Sequence, residues 1–290
     1  MPRKLFCEIS PLTYKISTHK CCAIRALRDL FSRERFAKTK QQEPLPVVIY
    51  KHNSLIRRKL GNTQPELQEN KAHNLALSTP KVSGILIRPG ETFSFWRLVG
   101  STTAEKGYKE GVTIANGQTR AGIGGGMCQF TNLIHWMVLH APLTITEHHH
   151  HDGIDLFPDY NRQVPFGTGT SILYNYLDYR FKNETDNTYQ LIVYVTDTHL
   201  CGELRAAKEL SVKYHIKTEN ENFAREGETV YRRGRVYRTC TDKATGNEIS
   251  RDLIRENNAK VMYDTNELLK TNSTSAEKAL YTSTATNTDL

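Results

Sequence analysis

The sequence has no run of 18 or more apolar residues, so no stretch of it reads as a membrane-spanning helix. It has no CxxC and no HExxH, the spacings that mark a structural zinc site or a zinc-dependent hydrolase. Its six cysteines (Cys7, Cys21, Cys22, Cys128, Cys201 and Cys240) follow no regular pattern, which fits a reducing compartment better than a disulfide framework. The first thirty residues begin with charge but lack the apolar centre and small-residue cleavage site of a secretory signal. The expected location is therefore cytoplasmic, with room for a peripheral position at the inner membrane face. No internal repeat is present, and no metal or other cofactor is expected.

What is present in excess is positive charge, a formal +8, and its distribution decides what it means. Residues 1–40 carry a net +7, whereas residues 91–200 carry a net −4. No RNP-like aromatic run or zinc-finger spacing accompanies the basic arm, so nucleic acid is not an expected partner. Within the arm, Ile24, Leu27, Leu30 and Phe31 recur at helical steps with Arg25, Arg28, Arg33 and Arg35 between them, which predicts a helix from Ala23 to Lys38. Such a helix either docks its apolar face on the domain, the commoner case, or rests on an anionic membrane through residues 23–38.

Along the chain, residues 1–46 read as the basic arm, 47–205 as the main domain, 206–264 as a β-rich extension and 265–290 as a disordered Thr/Ser/Asn-rich tail. Val47 to Tyr50 predicts a short buried strand, and residues 66–79 predict a helix ending near Pro80. Strand, Pro-Gly turn and strand over 84–95 suggest a hairpin, as do residues 172–196. Phe130, Leu133, Ile134, Met137 and Val138 share one face of a helix from about Cys128 to His140. The expected fold is α+β, an antiparallel sheet packed on this central helix, with C-terminal strands extending the sheet.

The chemistry-bearing pattern is Gly124-Gly125-Gly126-Met127-Cys128-Gln129. A thiol in the first turn of a helix sees the positive end of the macrodipole, which favours thiolate. Glycines ahead of it permit close approach of a carbonyl, and backbone N–H groups at Gly125 and Gly126, with Gln129 beside them, would border an oxyanion. A base is supplied about twenty residues on by the run His148-His149-His150-His151. If that run is extended, His149 and His151 face one way and His148 and His150 the other. Asp152, Asp155 and Asp178 are the carboxylates available to orient a ring. The bland alternative is a buried cysteine opening a core helix. Zinc is disfavoured because His135 and His140 are not on one helical face.

These residues, together with Arg88-Pro89-Gly90-Glu91-Thr92-Phe93-Ser94-Phe95-Trp96, Gly107-Tyr108, Asn132-Leu133 and Asp178 to Asn183, resemble the VanW family from about residue 70 to 205. The resemblance implies a link to glycopeptide resistance and to a cell-wall peptide or precursor as partner. For some members it implies L,D-transpeptidase chemistry with the cysteine of the GGGxCQ motif as nucleophile. That cysteine is Cys128, and the family's histidine segment maps onto 147–152, with His151 the best match and His149 the second. The sequence departs from the family at Gly169, where many members carry the aspartate of an Asp-Ala-Thr segment. The alternative implied function is a non-catalytic module that binds wall precursors.

Overall fold

The computed structural model describes residues 5–57, 64–115, 118–151, 153–156, 158 and 164–265. Asp152 and all but the first residue of the predicted tail 265–290 lie outside the described residues. In chain order the elements are α1 (Pro11–Phe31), β1 (Arg35–Phe36), β2 (Val47–Leu55), α2 (Pro65–Val82), β3 (Ile85–Ile87), β4 (Glu91–Ser94) and α3 (Phe95–Val99). There follow β5 (Glu110–Ala115), β6 (Gln118–Ile123), α4 (Met127–Val138), β7 (Thr144–Glu147), β8 (Ile154–Asp155) and β9 (Arg180–Lys182). The chain closes with β10 (Tyr189–Val195), β11 (His199–Ala206), β12 (Val212–Glu226), β13 (Thr229–Asp242) and β14 (Glu248–Val261).

The fold is α+β. A wholly antiparallel sheet in the order β2-β11-β10-β3 packs against α4 and α2. Close packing is built in at Gly202 on β11, where a Cβ would stand 2.7 Å from Met137 Cε and 2.9 Å from Leu133 Cδ2 on α4. The face of α4 that carries Phe130, Leu133, Ile134, Met137 and Val138 is fully buried, as its periodicity predicts. A second sheet, β1-β4-β9-β7, adds the stacked pair Phe93 and Phe181, with ring centroids 4.7 Å apart.

Three expectations are corrected. Residues 84–95 do not form a hairpin: β3 pairs with β10 while β4 pairs with β9, because the Pro-Gly turn hands the chain from one sheet to the other. Residues 172–196 are likewise split, since β9 pairs with β4 and β7 whereas β10 pairs with β3 and β11. The C-terminal strands do not extend the first sheet. They form a separate meander of long strands, β12-β13-β14, with β8 added in parallel at its edge.

The N-terminal helix also differs from its prediction. It begins at Pro11, with Ser10 as its N-cap accepting from the Thr13 N–H at 3.2 Å, and it ends at Phe31. It is fixed by charge rather than by its leucines. The Asp29 carboxylate, buried on the domain side, receives both Nη atoms of Arg180 at 2.8 and 2.7 Å. Arg25 holds Glu147 through both guanidinium arms and donates to the Tyr176 carbonyl at 2.9 Å. Burial alone would raise the Asp29 carboxyl, but Arg180, with Arg97 and Arg25 behind it, holds it below its ordinary value. Removing one partner of such a buried pair leaves a charge unmatched, so Asp29→Ala should lower stability by about 3 kcal/mol in urea denaturation. A loss under about 1 kcal/mol would show that the helix is held by something else.

Candidate functional site

The glycine triplet is a device for placing α4. Gly125 lies against the backbone of Gly111, where a Cβ would stand 2.3 Å from the carbonyl carbon. Gly126, the N-cap of α4, has φ +111°, a left-handed conformation that disfavours any side chain. Buried Asn74 pins the loop: its Nδ2 donates to the carbonyls of Gly125 (3.0 Å) and Lys109 (2.9 Å), and its Oδ1 accepts from the Lys109 N–H at 2.8 Å. No side chain caps α4, so its first turn starts with backbone N–H groups facing forward.

Cys128 is the second residue of that turn and is half-buried on the wall of a large cleft of about 1540 Å³. The cleft is also lined by Trp96, Asn132, His150, His151 and Thr170, by Phe166, and by Asn257 on β14, whose Nδ2 donates to the Phe166 carbonyl at 3.1 Å. The segment 168–172 crosses the start of α4: the Thr170 N–H and hydroxyl donate to Asn132 Oδ1 at 2.6 and 2.8 Å. That crossing brings the Ile172 N–H to the Cys128 sulfur, which favours thiolate, but burial outweighs it and pushes the thiol above its ordinary value. The expected thiolate is therefore corrected. A helix terminus supplies only about 0.3–1 kcal/mol, less than the cost of desolvating the anion.

Of the other predicted site residues, Gly125, Gly126, Gln129 and His151 line the same cleft as Cys128. Their roles differ from expectation. The Gly125 N–H is turned to the Gly122 carbonyl at 3.3 Å, so Gly125 shapes the loop rather than presenting a free donor. Gln129 reaches across to β2, its Nε2 donating to Ser54 Oγ and the Leu55 carbonyl, both at 2.9 Å. His149 does not line the cleft; its Nε2 donates to Glu147 at 2.9 Å. In its place the cleft receives His150, which strict alternation assigns to the opposite face.

The carboxylates behave differently again. Asp178 is buried and receives Ser94 Oγ (2.5 Å), the Trp96 N–H (3.0 Å) and Arg180 Nε (2.8 Å), so it caps α3 and pairs a cation instead of bordering substrate. Asp155 accepts from Arg232 at 3.3 Å and from the Tyr263 hydroxyl at 2.8 Å. Among the described residues, Glu147 at the end of β7 bonds the histidine run, through His149. It is held below its ordinary value because Arg25, His149 and the Asp178 N–H together overcome the effect of burial. The Gly169 carbonyl accepts from His148 Nε2 at 3.0 Å, so that nitrogen carries the proton.

His148 lies between His150 (ring centroids 4.0 Å apart, planes tilted by 55°) and the fully buried His135 (4.1 Å, tilted by 37°), whose Nδ1 meets the Tyr179 hydroxyl at 3.1 Å. Burial, then the neighbouring His148, His150 and Arg238, drive His135 well below the usual histidine value and keep it neutral. Sequence reasoning missed Lys71, buried on α2 with its Cγ against Gly126 and lining the cleft. Its only signal is a lysine amid the polar residues of a predicted helix. Among the described residues no group of three or more His, Cys, Asp or Glu side chains is placed to hold a metal ion, and no helix is long and apolar enough to cross a membrane.

Comparison with known proteins places this geometry. The family described as "VanW like protein" matches residues 70–205, the span that holds the glycine turn, Cys128 and the histidine run. The vancomycin B-type resistance protein VanW of Enterococcus faecalis is 33% identical over 265 residues, covering 91% of this chain and 95% of that protein. The chain belongs to the VanW family. A second relative, the uncharacterized protein YoaR of Bacillus subtilis, is 32% identical over 119 residues, 40% of this chain and 36% of YoaR. No solved structure matches.

The histidines behind this VanW-family site give it an acid-side instability. His140, its Nδ1 on the Trp136 carbonyl at 2.8 Å, is lowered to about 4, chiefly by burial. Between about pH 6.5 and 4 the unfolded chain takes up protons at His135 and His140 that the folded chain refuses, so stability falls as pH falls. His140 alone should account for about 2 kcal/mol of the difference between pH 7 and pH 5. Denaturant titrations of the parent and of His140→Gln should show that difference shrinking by this amount, and equal slopes with pH would refute it.

Proposed function

We propose that the chain acts on a cell-wall peptide or precursor seated in the cleft, with Cys128 as nucleophile of an acyl transfer or hydrolysis, in the service of glycopeptide resistance. The observation that carries this reading is the shared wall of the cleft, where Cys128 opens α4 and His150 and His151 stand in the same lining. Similarity over nearly the whole chain to a vancomycin-resistance protein supports the substrate class. Because burial keeps the thiol protonated, attack requires a base at the moment of reaction. His151, or His150 beside it, takes the Sγ proton as sulfur bonds to the peptide carbonyl carbon. The carbonyl electron pair moves to oxygen, in front of the uncapped first-turn N–H groups of α4. Collapse breaks the C–N bond, and the leaving amine takes the proton back from the imidazolium. The thioester then passes its acyl group to water, giving hydrolysis, or to a second amine, giving transpeptidation.

A second reading, a binding module without chemistry, is favoured by the raised thiol and by the engagement of both Gln129 donors with β2. Mass spectrometry with a wall-peptide chloromethyl ketone separates the two. Catalysis predicts alkylation of Cys128 well ahead of the other five cysteines, slowed about a hundredfold in His150→Ala/His151→Ala. If Cys128 reacts no faster than half-buried Cys21 or Cys22 while the unmodified peptide still binds, the module reading replaces the catalytic one.

A further inference from the structure

Helix α1 is docked the wrong way round for an ordinary surface helix. The side turned to the domain carries Cys22, whose thiol meets the Tyr174 carbonyl at 3.3 Å, together with Arg25 and Asp29. Leu12, Ile16, Ile24, Leu27, Leu30 and Phe31 are all exposed, Leu30 by 74% and Phe31 by 80%. At ~100° per residue these six fall within roughly a 120° arc centred opposite the docked side. The preceding turn, Phe6–Glu8, adds exposed Leu5, Phe6 and Ile9 to the same end of the molecule. A stripe of this length left in water marks a contact surface.

Charge decides what contacts it. Exposed Lys15 and Arg28 flank the arc on its two sides, exposed Lys20 lies within it, and Arg33 and Arg35 follow the helix. The only acid in the helix is Asp29, which is buried against Arg180. A second copy of the chain packed on this stripe about a two-fold axis would bring Lys20 and its symmetry mate together with no acid from either helix to pair them, since the exposed acids nearby, Glu8 and Glu34, lie beyond the helix ends. An anionic bilayer converts the same charges into attraction while the apolar residues enter the headgroup boundary. We propose that α1 is an interfacial membrane helix, held in place by the Arg25 and Asp29 ion pairs so that its apolar face lies outward on an anionic lipid surface. Because α1 also touches Tyr174 and Tyr176, and Tyr174 lines the cleft, the cleft is carried beside that surface.

The test is flotation of the full chain with vesicles. The chain should float with phosphatidylglycerol-rich vesicles, and far less with pure phosphatidylcholine or in 0.5 M salt. Lys20→Glu/Arg28→Glu and, separately, Ile16→Ser/Leu27→Ser should each weaken binding by roughly tenfold or more. All four positions are exposed, so folding is not at stake, and thermal melting of each variant verifies this. Absence of binding to anionic vesicles, or binding indifferent to both variants, overturns the proposal. So does a concentration-dependent dimer in ultracentrifugation that Ile16→Ser/Leu27→Ser abolishes, which would assign the stripe to a second copy. None of these readouts depends on Cys128.

Discussion

The guanidinium of Arg180 is the constraint around which the functional half of the molecule is arranged. It is buried in the second sheet, and a buried cation is tolerable only when carboxylates surround it. Asp29 and Asp178 both bond it, and together they raise its pKa above the ordinary arginine value despite burial. Glu147 and Glu34 join the shell, Glu147 Oε2 3.6 Å from Arg180 Nε and Glu34 Oε2 3.8 Å from its Nη1. Three of these acids each fix a different element: Asp29 fixes α1, Asp178 caps α3 and so seats Trp96 in the cleft wall, and Glu147 roots the histidine segment. One positive charge thus couples an outward-facing helix to the loop that carries the candidate bases.

This arrangement explains why the histidine run departs from a regular strand. Glu147 accepts from Arg25, from the Asp178 N–H and from His149, so the run leaves β7 with its first carboxylate and second histidine already committed. His148 is engaged by the Gly169 carbonyl and by the tilted ring of His135. His150 and His151 line the cleft. The Gly169 carbonyl thus orients His148 from the backbone.

Much of the site was legible from local pattern, because its rules are local. Three successive glycines before an apolar helical face specify a turn that only glycine can make, and Gly125 against Gly111 is its physical content. The α4 face was legible for the same reason. What could not be read were pairings across long separations. Asp29 and Arg180 are 151 residues apart, and nothing in either neighbourhood names the other. The strand character of Tyr189–Val195 was evident, but alternation identifies a strand without naming its partners, so two expected hairpins became strands of different sheets. The start of α1 did carry a visible signal, Ser10 followed by Pro11, but its outward apolar face depends on ions supplied by the rest of the chain.

The central claim is that this charge cluster, not apolar packing of α1, sets the position of the histidine segment. The Ser171 amide reports on it directly, since it donates to the His149 carbonyl at 2.7 Å. Hydrogen exchange at that amide in the charge-neutral pair Arg25→Gln/Glu147→Gln is the decisive measurement. The account predicts that Ser171 and the amides of α1 lose protection together while those of α4 keep theirs. Unchanged protection at Ser171, with α1 released, would contradict it.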